Sequence, residues 1–173
     1  TTFDELLSTG KKLKSGDVAG VAMRSKADGS AGTWPCGGFV FSNGGVVIQD
    51  GKCMLDSPEA IEAVQYYGSI LNEAGPLGVG NYHWYECLND YMQEAVAIGL
   101  DSSNFATDIE NPEKSNAAGH TTYGAMVSGP GKQAKPNMWH WMAGINSKSQ
   151  QKAAAFLFLT WANSKPTCLM SSA

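Results

Sequence analysis

The seven residues "AVAIGLD", 95–101, constrain this chain more than any other stretch. They are almost wholly apolar up to Asp101, so they read as a strand buried on both faces, a pattern that asks for cover on each side. The strand runs straight into "SSNFATDI", 102–109, where Ser102 or Ser103 is placed to cap a short helix. A buried strand that delivers a polar turn and a helix N-terminus is a common way to build a ligand site, because the free N–H groups point into a crevice.

The flanking segments supply the layers. Thr2 and Glu5 have capping-box spacing ahead of Phe3, Leu6, Leu7 and Leu13, which predicts an amphipathic helix over 2–14. "VAGVAMR" then predicts a short strand ending at Arg24, and "SKADGSAGTWPCGGF", crowded with Gly and small polar residues around Trp34, reads as a loop. In "VVIQDGKCML" the Asp50-Gly51 pair between two β-prone runs marks a two-residue hairpin. Ser57 and Pro58 open a helix with Ile61, Val64, Tyr67 and Leu71 on one face, closed by Gly75 and Pro76. "YHWYECLNDYMQE" predicts another helix with Trp84, Leu88, Tyr91 and Met92 inward. Beyond a polar loop, "TYGAMVSGP" and "MWHWMAGI" read as strands, and a last helix from about Ser147 is expected to bury Ala154, Leu157 and Trp161.

Bulk properties narrow the function classes. A chain of 173 residues buries roughly 70% of its unfolded surface, enough for one core. Twelve basic against sixteen acidic residues, net charge -4, argue against a nucleic-acid surface, which needs clustered Lys and Arg. "KKLK", 11–14, falls at a helix end, where cations offset the dipole. No apolar run reaches the ~20 residues of a bilayer-spanning helix, and "TTFDEL" has neither initiator Met nor apolar leader, so a secretory signal is expected to have been removed or never included. Cys36, Cys53, Cys87 and Cys168 form no CxxC, which disfavours a thiolate metal site. Two disulfides with three pairings are open to them, but free, mostly buried thiols are favoured.

The motifs of catalysis are mostly refused. His83, His120 and His140 lack the spacing that puts two imidazoles on one metal, and neither a metal nor another cofactor is predicted. "SGPGK", 128–132, lacks the first glycine of a phosphate loop and has Gln133 where Ser or Thr belongs, so it reads as a turn. Asp101 is a fair acid candidate for a carbohydrate-active enzyme, yet Asp108, Glu110 and Glu113 sit in a polar loop of the kind that is usually solvated. What remains is recognition: Trp34 in a Gly-rich loop, Arg24 at a strand end, Asp101 with Ser102 and Asn104 at a strand-to-helix turn, and Trp139 with Trp141. On one strand those two tryptophans point the same way, roughly 6.6 Å apart, as one flat wall. Flat aromatic walls beside fixed donors and acceptors suit sugars, which have apolar C–H faces and a rim of hydroxyls.

Four stretches carry a family likeness: "TTFDELLSTGKKLKSGDVAGVAMR", "LDSPEAIEAVQYYGSILNEAGPLG", "YECLNDYMQEAVAIGLDSSNFA" and "AGINSKSQQKAAAFLFLTWANS". In order and spacing the chain resembles, over nearly all of residues 1–165, the family 1 extracellular solute-binding proteins of bacterial ATP-binding-cassette (ABC) sugar importers. It looks closest to the branch for sugar alcohols and small saccharides, on the "DSSNFATDIENPEKS"-like turn and the Trp-x-Trp segment. The resemblance implies an α/β, periplasmic-binding-protein-like fold of type II, with two lobes that close on a sugar or polyol and hand it to a membrane permease, without catalysis. It implies that Trp34, Asp101, Ser102 and Asn104 line the second lobe's side of the cleft, that Arg24 is a strand-end polar contact, and that Trp139 to Trp141 pass by the hinge.

Family members are much longer, and most of the first lobe has no counterpart here. The resemblance therefore implies a partial chain, impaired in binding, with residues 1–119 as second lobe, 120–163 (two strands and a helix) crossing back to the first, and 164–173 as a tail. The family's "GK-A-M" pattern reads "EAVAI" at 94–98. Strand edges without their partners predict association into a homo-oligomer. Location is expected to be periplasmic or extracellular. A carbohydrate-active enzyme using Asp101, a lectin-like carbohydrate-binding domain and an interaction module built on the Trp segment are the alternatives.

Overall fold

Thr2 opens the first helix, α1 (Phe3–Leu13), through a full capping box: its hydroxyl accepts from the Glu5 N–H at 3.2 Å and Glu5 Oε2 accepts from the Thr2 N–H at 2.8 Å. The computed structural model that shows this describes residues 1–139 and 141–171, in two compact units, Thr1–Asn137 and Met138–Ala173. In the first unit α1 lies on β1 (Ala19–Ala22), every residue of which is buried. The approach is backbone to backbone: a Cβ on Gly20 would stand 2.0 Å from the Gly10 carbonyl oxygen.

Strand β1 pairs in parallel with β4 (Val96–Gly99), in the register Ala19↔Val96, Val21↔Ile98 and Ala22↔Gly99. The connection between them carries α2 (Thr33–Ser42), a hairpin of β2 (Ile48–Gln49) and β3 (Lys52–Cys53), α3 (Pro58–Ser69) and α4 (Trp84–Met92). Asp50 and Gly51 both have positive φ, 50° and 75°, as a type I′ turn requires. Helix α3 starts where Ser57 accepts from Ala60 N–H and continues as a π-helical turn over Ile70–Ala74 up to Gly75. Its buried side is Ala60, Ala63, Tyr67, Ile70 and Ala74, while the expected Ile61 and Val64 are about half exposed. Both stripes have helical period, and the small residues won because they let α2 and α3 pack closely.

The segment expected as a loop holds α2. Its composition is glycine-rich, but Pro35 falls in the first turn, where its missing N–H costs nothing, and Phe39 and Val40 reach the core. Phe3 and Phe39 stack at 4.6 Å and 15°, and Tyr67 meets Phe39 edge-on at 5.3 Å. Burying each phenylalanine stabilises by about 2–3 kcal/mol. Asn43, fully buried at the end of α2, donates to the Glu59 carbonyl and Glu62 Oε2, both at 2.9 Å, tying the two helices together.

Strand β4 is buried on one side only, with Val96 inside and Ala97 exposed, and β1 is its one strand partner among the described residues. The two later segments expected as strands are irregular through residues 121–127 and the described part of 138–146; His140 lies outside the described residues. A strand needs a neighbour to take its N–H and C=O groups, and only Ser128 finds one, bridging to Thr2. The turn after β4 holds a short helix, α5 (Ala106–Ile109). In the second unit α6 (Lys152–Ala162) begins five residues later than expected and has no buried residue; Leu157 and Trp161 are 70% and 58% exposed. The tail forms α7 (Lys165–Ser171). The cysteines are unpaired: Cys87 is buried and Cys36 half-buried, but Cys53 and Cys168 are exposed, so burial holds for two of the four.

Candidate ligand-binding site

Parallel pairing of β1 with β4 brings their C-terminal ends side by side, and Arg24 and Asp101 sit just past those ends. Leu100 N–H donates to the Ala22 carbonyl at 3.0 Å, carrying the ladder up to the site. There Arg24 grips Asp101 with two bonds, Nε to Oδ2 at 2.8 Å and Nη2 to Oδ1 at 2.5 Å. Such a fork fixes the guanidinium plane as well as its distance. Asp101 Oδ1 also accepts from the Ser102 N–H at 2.7 Å, and Ser102, at the N-cap position of the turn Ser103–Phe105, makes no side-chain cap, contrary to expectation. Tyr67, buried under the site, donates its hydroxyl to the Arg24 carbonyl.

Aromatic rings bracket the pair. The Arg24 guanidinium lies 4.7 Å over Trp34 and 6.0 Å from Phe105, both within range of cation–π attraction. Phe105 in turn stacks on Trp84 at 5.7 Å and 28°, and Trp84 meets Tyr85 edge-on. Trp34 is placed by α2 and held partly by Asn137, whose Nδ2 donates to the Trp34 carbonyl. The loop before α2 is turned by Asp28, which accepts from Ala31 and Ser30 N–H groups; these donors hold its carboxyl down at about 2. Asp28 Oδ2 also faces His83 Nε2 at 3.6 Å, linking this loop to the start of α4.

Of the residues singled out from sequence, Arg24, Trp34, Asp101 and Ser102 come together here, and Asn104 stands exposed on the same turn. Trp139 and Trp141 belong to the second unit; their rings meet at 5.7 Å and 70°, edge to face, so they do not form the flat wall that strand alternation predicts. None of the described residues of that segment lies in a strand, and aromatic pairs favour the tilted geometry. Phe105, Trp84 and Tyr67 were not read as site residues. Phe105 follows Asn104 directly and was the findable one; Trp84 looked like an inward helix residue but is 40% exposed. Elsewhere, a hollow of about 200 Å³ lined by Tyr91, Glu94, Val96, Ala97, Ala117, His120 and Thr121 opens at the other end of β4. Among the described residues no cluster of three or more His, Cys, Asp or Glu is arranged to hold a metal.

The model of one family, the bacterial extracellular solute-binding proteins, matches residues 1–167. This chain belongs to that family. A curated member, the erythritol/L-threitol-binding protein of Mycolicibacterium smegmatis, is 26% identical over 111 residues, 64% of this chain and 23% of that protein. A probable ABC transporter-binding protein of Deinococcus radiodurans is 27% identical over 116 residues, 66% of this chain and 27% of that protein. Among solved structures, the ribitol complex of an ABC transporter solute-binding protein from Agrobacterium radiobacter superposes with a TM-score of 0.88 at 27% identity, covering 96% of this chain and 43% of that one. A D-mannitol complex from Agrobacterium vitis, at 23% identity and TM-score 0.87, shares the fold. The fold is thus that of type II periplasmic binding proteins, and the chain spans less than half the length of these relatives. These relatives are described as binding proteins of transporters.

Proposed function

We propose that this chain is part of the substrate-binding component of an ABC-type importer and contributes one wall of a site for a sugar or sugar alcohol. The carrying observation is the juxtaposition at the ends of β1 and β4: a fixed guanidinium–carboxylate pair, 16% and 10% exposed, flanked by Trp34, Phe105 and Trp84. Hydroxyls of a polyol both donate and accept, and its C–H faces pack on rings, so this set matches that ligand class. The likeness to the erythritol/L-threitol-binding protein and to the ribitol-bound structure supports it.

In this reading Arg24, Asp101 and Ser102 hold hydroxyls, and Trp34 supplies the ring. Asn104, exposed on the same turn, and Trp139 and Trp141, which belong to the second unit, are further ligand contacts in this proposal. Residues 1–119 correspond to the second lobe and 120–163 to the segment returning to the first, with 164–173 as tail. The protein works in the periplasm or outside the cell, hands its ligand to a membrane permease, and catalyses nothing. Calorimetric titration of the full-length protein that contains this chain with pentitols, hexitols, disaccharides and trisaccharides tests the ligand class: saturable heat with at least one is expected, and none with any would overturn it, while the 173-residue chain alone is expected to bind weakly or not at all. Trp34→Ala is expected to weaken that binding about tenfold, through loss of the ring and of the support under Arg24.

A further inference from the structure

We propose that the Arg24–Asp101 pair is a charge filter, selecting uncharged polyols against sugar acids and amino polyols of the same length. This inference rests on the ligand class proposed above. Both side chains are mostly withdrawn from water, and their opposite charges stand 2.5 Å apart at the closest atoms. Trp34 and Phe105 cover the guanidinium, so it meets a ligand at its edge. Nε and Nη2 are turned to Asp101, while Nη1 has no hydrogen-bond partner among the described residues and remains a donor. On the acceptor side Asp101 Oδ1 takes two bonds and Oδ2 one, leaving acceptor capacity on Oδ2.

Of the nearby charges, Asp108 on the turn beyond Phe105 holds Lys114 at 2.9 Å, and Asp28 is held by the Ala31 and Ser30 N–H groups and faces the His83 ring at 3.6 Å. A ligand that meets the Arg24–Asp101 edge therefore finds a donor and an acceptor whose own charges cancel. A hydroxyl binds such an edge without loss. A carboxylate must give up its water to sit beside Asp101, and an ammonium must do so beside Arg24, and neither is repaid by an unpaired opposite charge. Removing one member of the pair leaves the other uncompensated and reverses the preference.

Isosteric probes read this directly: glucitol, gluconate and glucamine, and the five-carbon set ribitol, ribonate and 1-amino-1-deoxyribitol, titrated calorimetrically into the full-length protein that contains this chain. Wild type is expected to bind the neutral member at least about tenfold tighter than either charged one. Asp101→Asn is expected to raise the acid-to-alditol affinity ratio about tenfold or more, and Arg24→Gln to raise the amine-to-alditol ratio likewise. Circular dichroism checks that each variant is folded. Where one is not, the other decides, and where neither is, the wild-type ratios decide. Equal wild-type affinity for alditol and acid overturns the filter, as do unchanged ratios in a folded variant. Binding of saccharides but no alditol overturns the filter and leaves the sugar site standing; binding of neither overturns both.

Discussion

Arg24 shows how one residue is made single-valued by its surroundings. Its carbonyl accepts from Tyr67, its guanidinium is forked to Asp101, and one face rests on Trp34, so backbone, head group and plane are each fixed by a different element. Burial acts on titration in the same neighbourhood. It pushes the Tyr67 hydroxyl up, and pushes the Cys87 thiol up to about 12. The folded chain thus keeps a proton on Cys87 that the unfolded chain releases above about 9. That stabilisation is complete below about 9 and fades as pH rises toward 12. Melting temperature is expected to fall with pH across this window, less steeply in Cys87→Ala; identical slopes would refute the assignment. At pH 8 a thiol reagent should label Cys53 and Cys168 promptly and Cys87 only on unfolding.

At the scale of elements, sequence showed best what is decided locally. The Thr2 and Glu5 box, the Asp50-Gly51 turn and the Ser57-Pro58 start are all present, because each is closed by contacts within a few residues. Faces were less legible. Ile61 and Val64 outrank Ala60 and Ala63 in apolarity, yet helix-to-helix distance chose the alanines. The same closeness governs α1 and β1, where Gly20 meets Gly10 backbone to backbone. Gly20→Ala puts a methyl 2.0 Å from a carbonyl oxygen that cannot rotate away, and is expected to cost ~3 kcal/mol in urea denaturation. A loss below ~0.5 kcal/mol, the scale of ordinary surface changes, would show that the two elements separate freely.

At the scale of the whole chain, α6 stands out. Phe156, Leu157, Phe158 and Trp161 are each 58–70% exposed, on a helix apolar all round, a composition that belongs in an interior. Exposed apolar surface of this kind drives association. Light scattering of the 173-residue chain is expected to give a mass above the 18.3 kDa of one copy; a stable monomer with tryptophan emission unmoved by dilution would refute this.

The candidate site was half legible for a related reason. Arg24, Trp34, Asp101 and Ser102 could each be singled out as polar or aromatic residues at segment ends. That Arg24 and Asp101, 77 positions apart, form one fork follows only from the parallel register of β1 and β4. Sequence by itself determined the Thr2 and Ser57 caps, the hairpin turn and the family, because these rest on neighbours along the chain or on an order of motifs. Tertiary structure alone decided which helix faces are buried, that the glycine-rich segment becomes α2, and that the described residues around Trp139 stay irregular. Each of those depends on whether a partner surface lies opposite, and burial or strand pairing needs that partner in space.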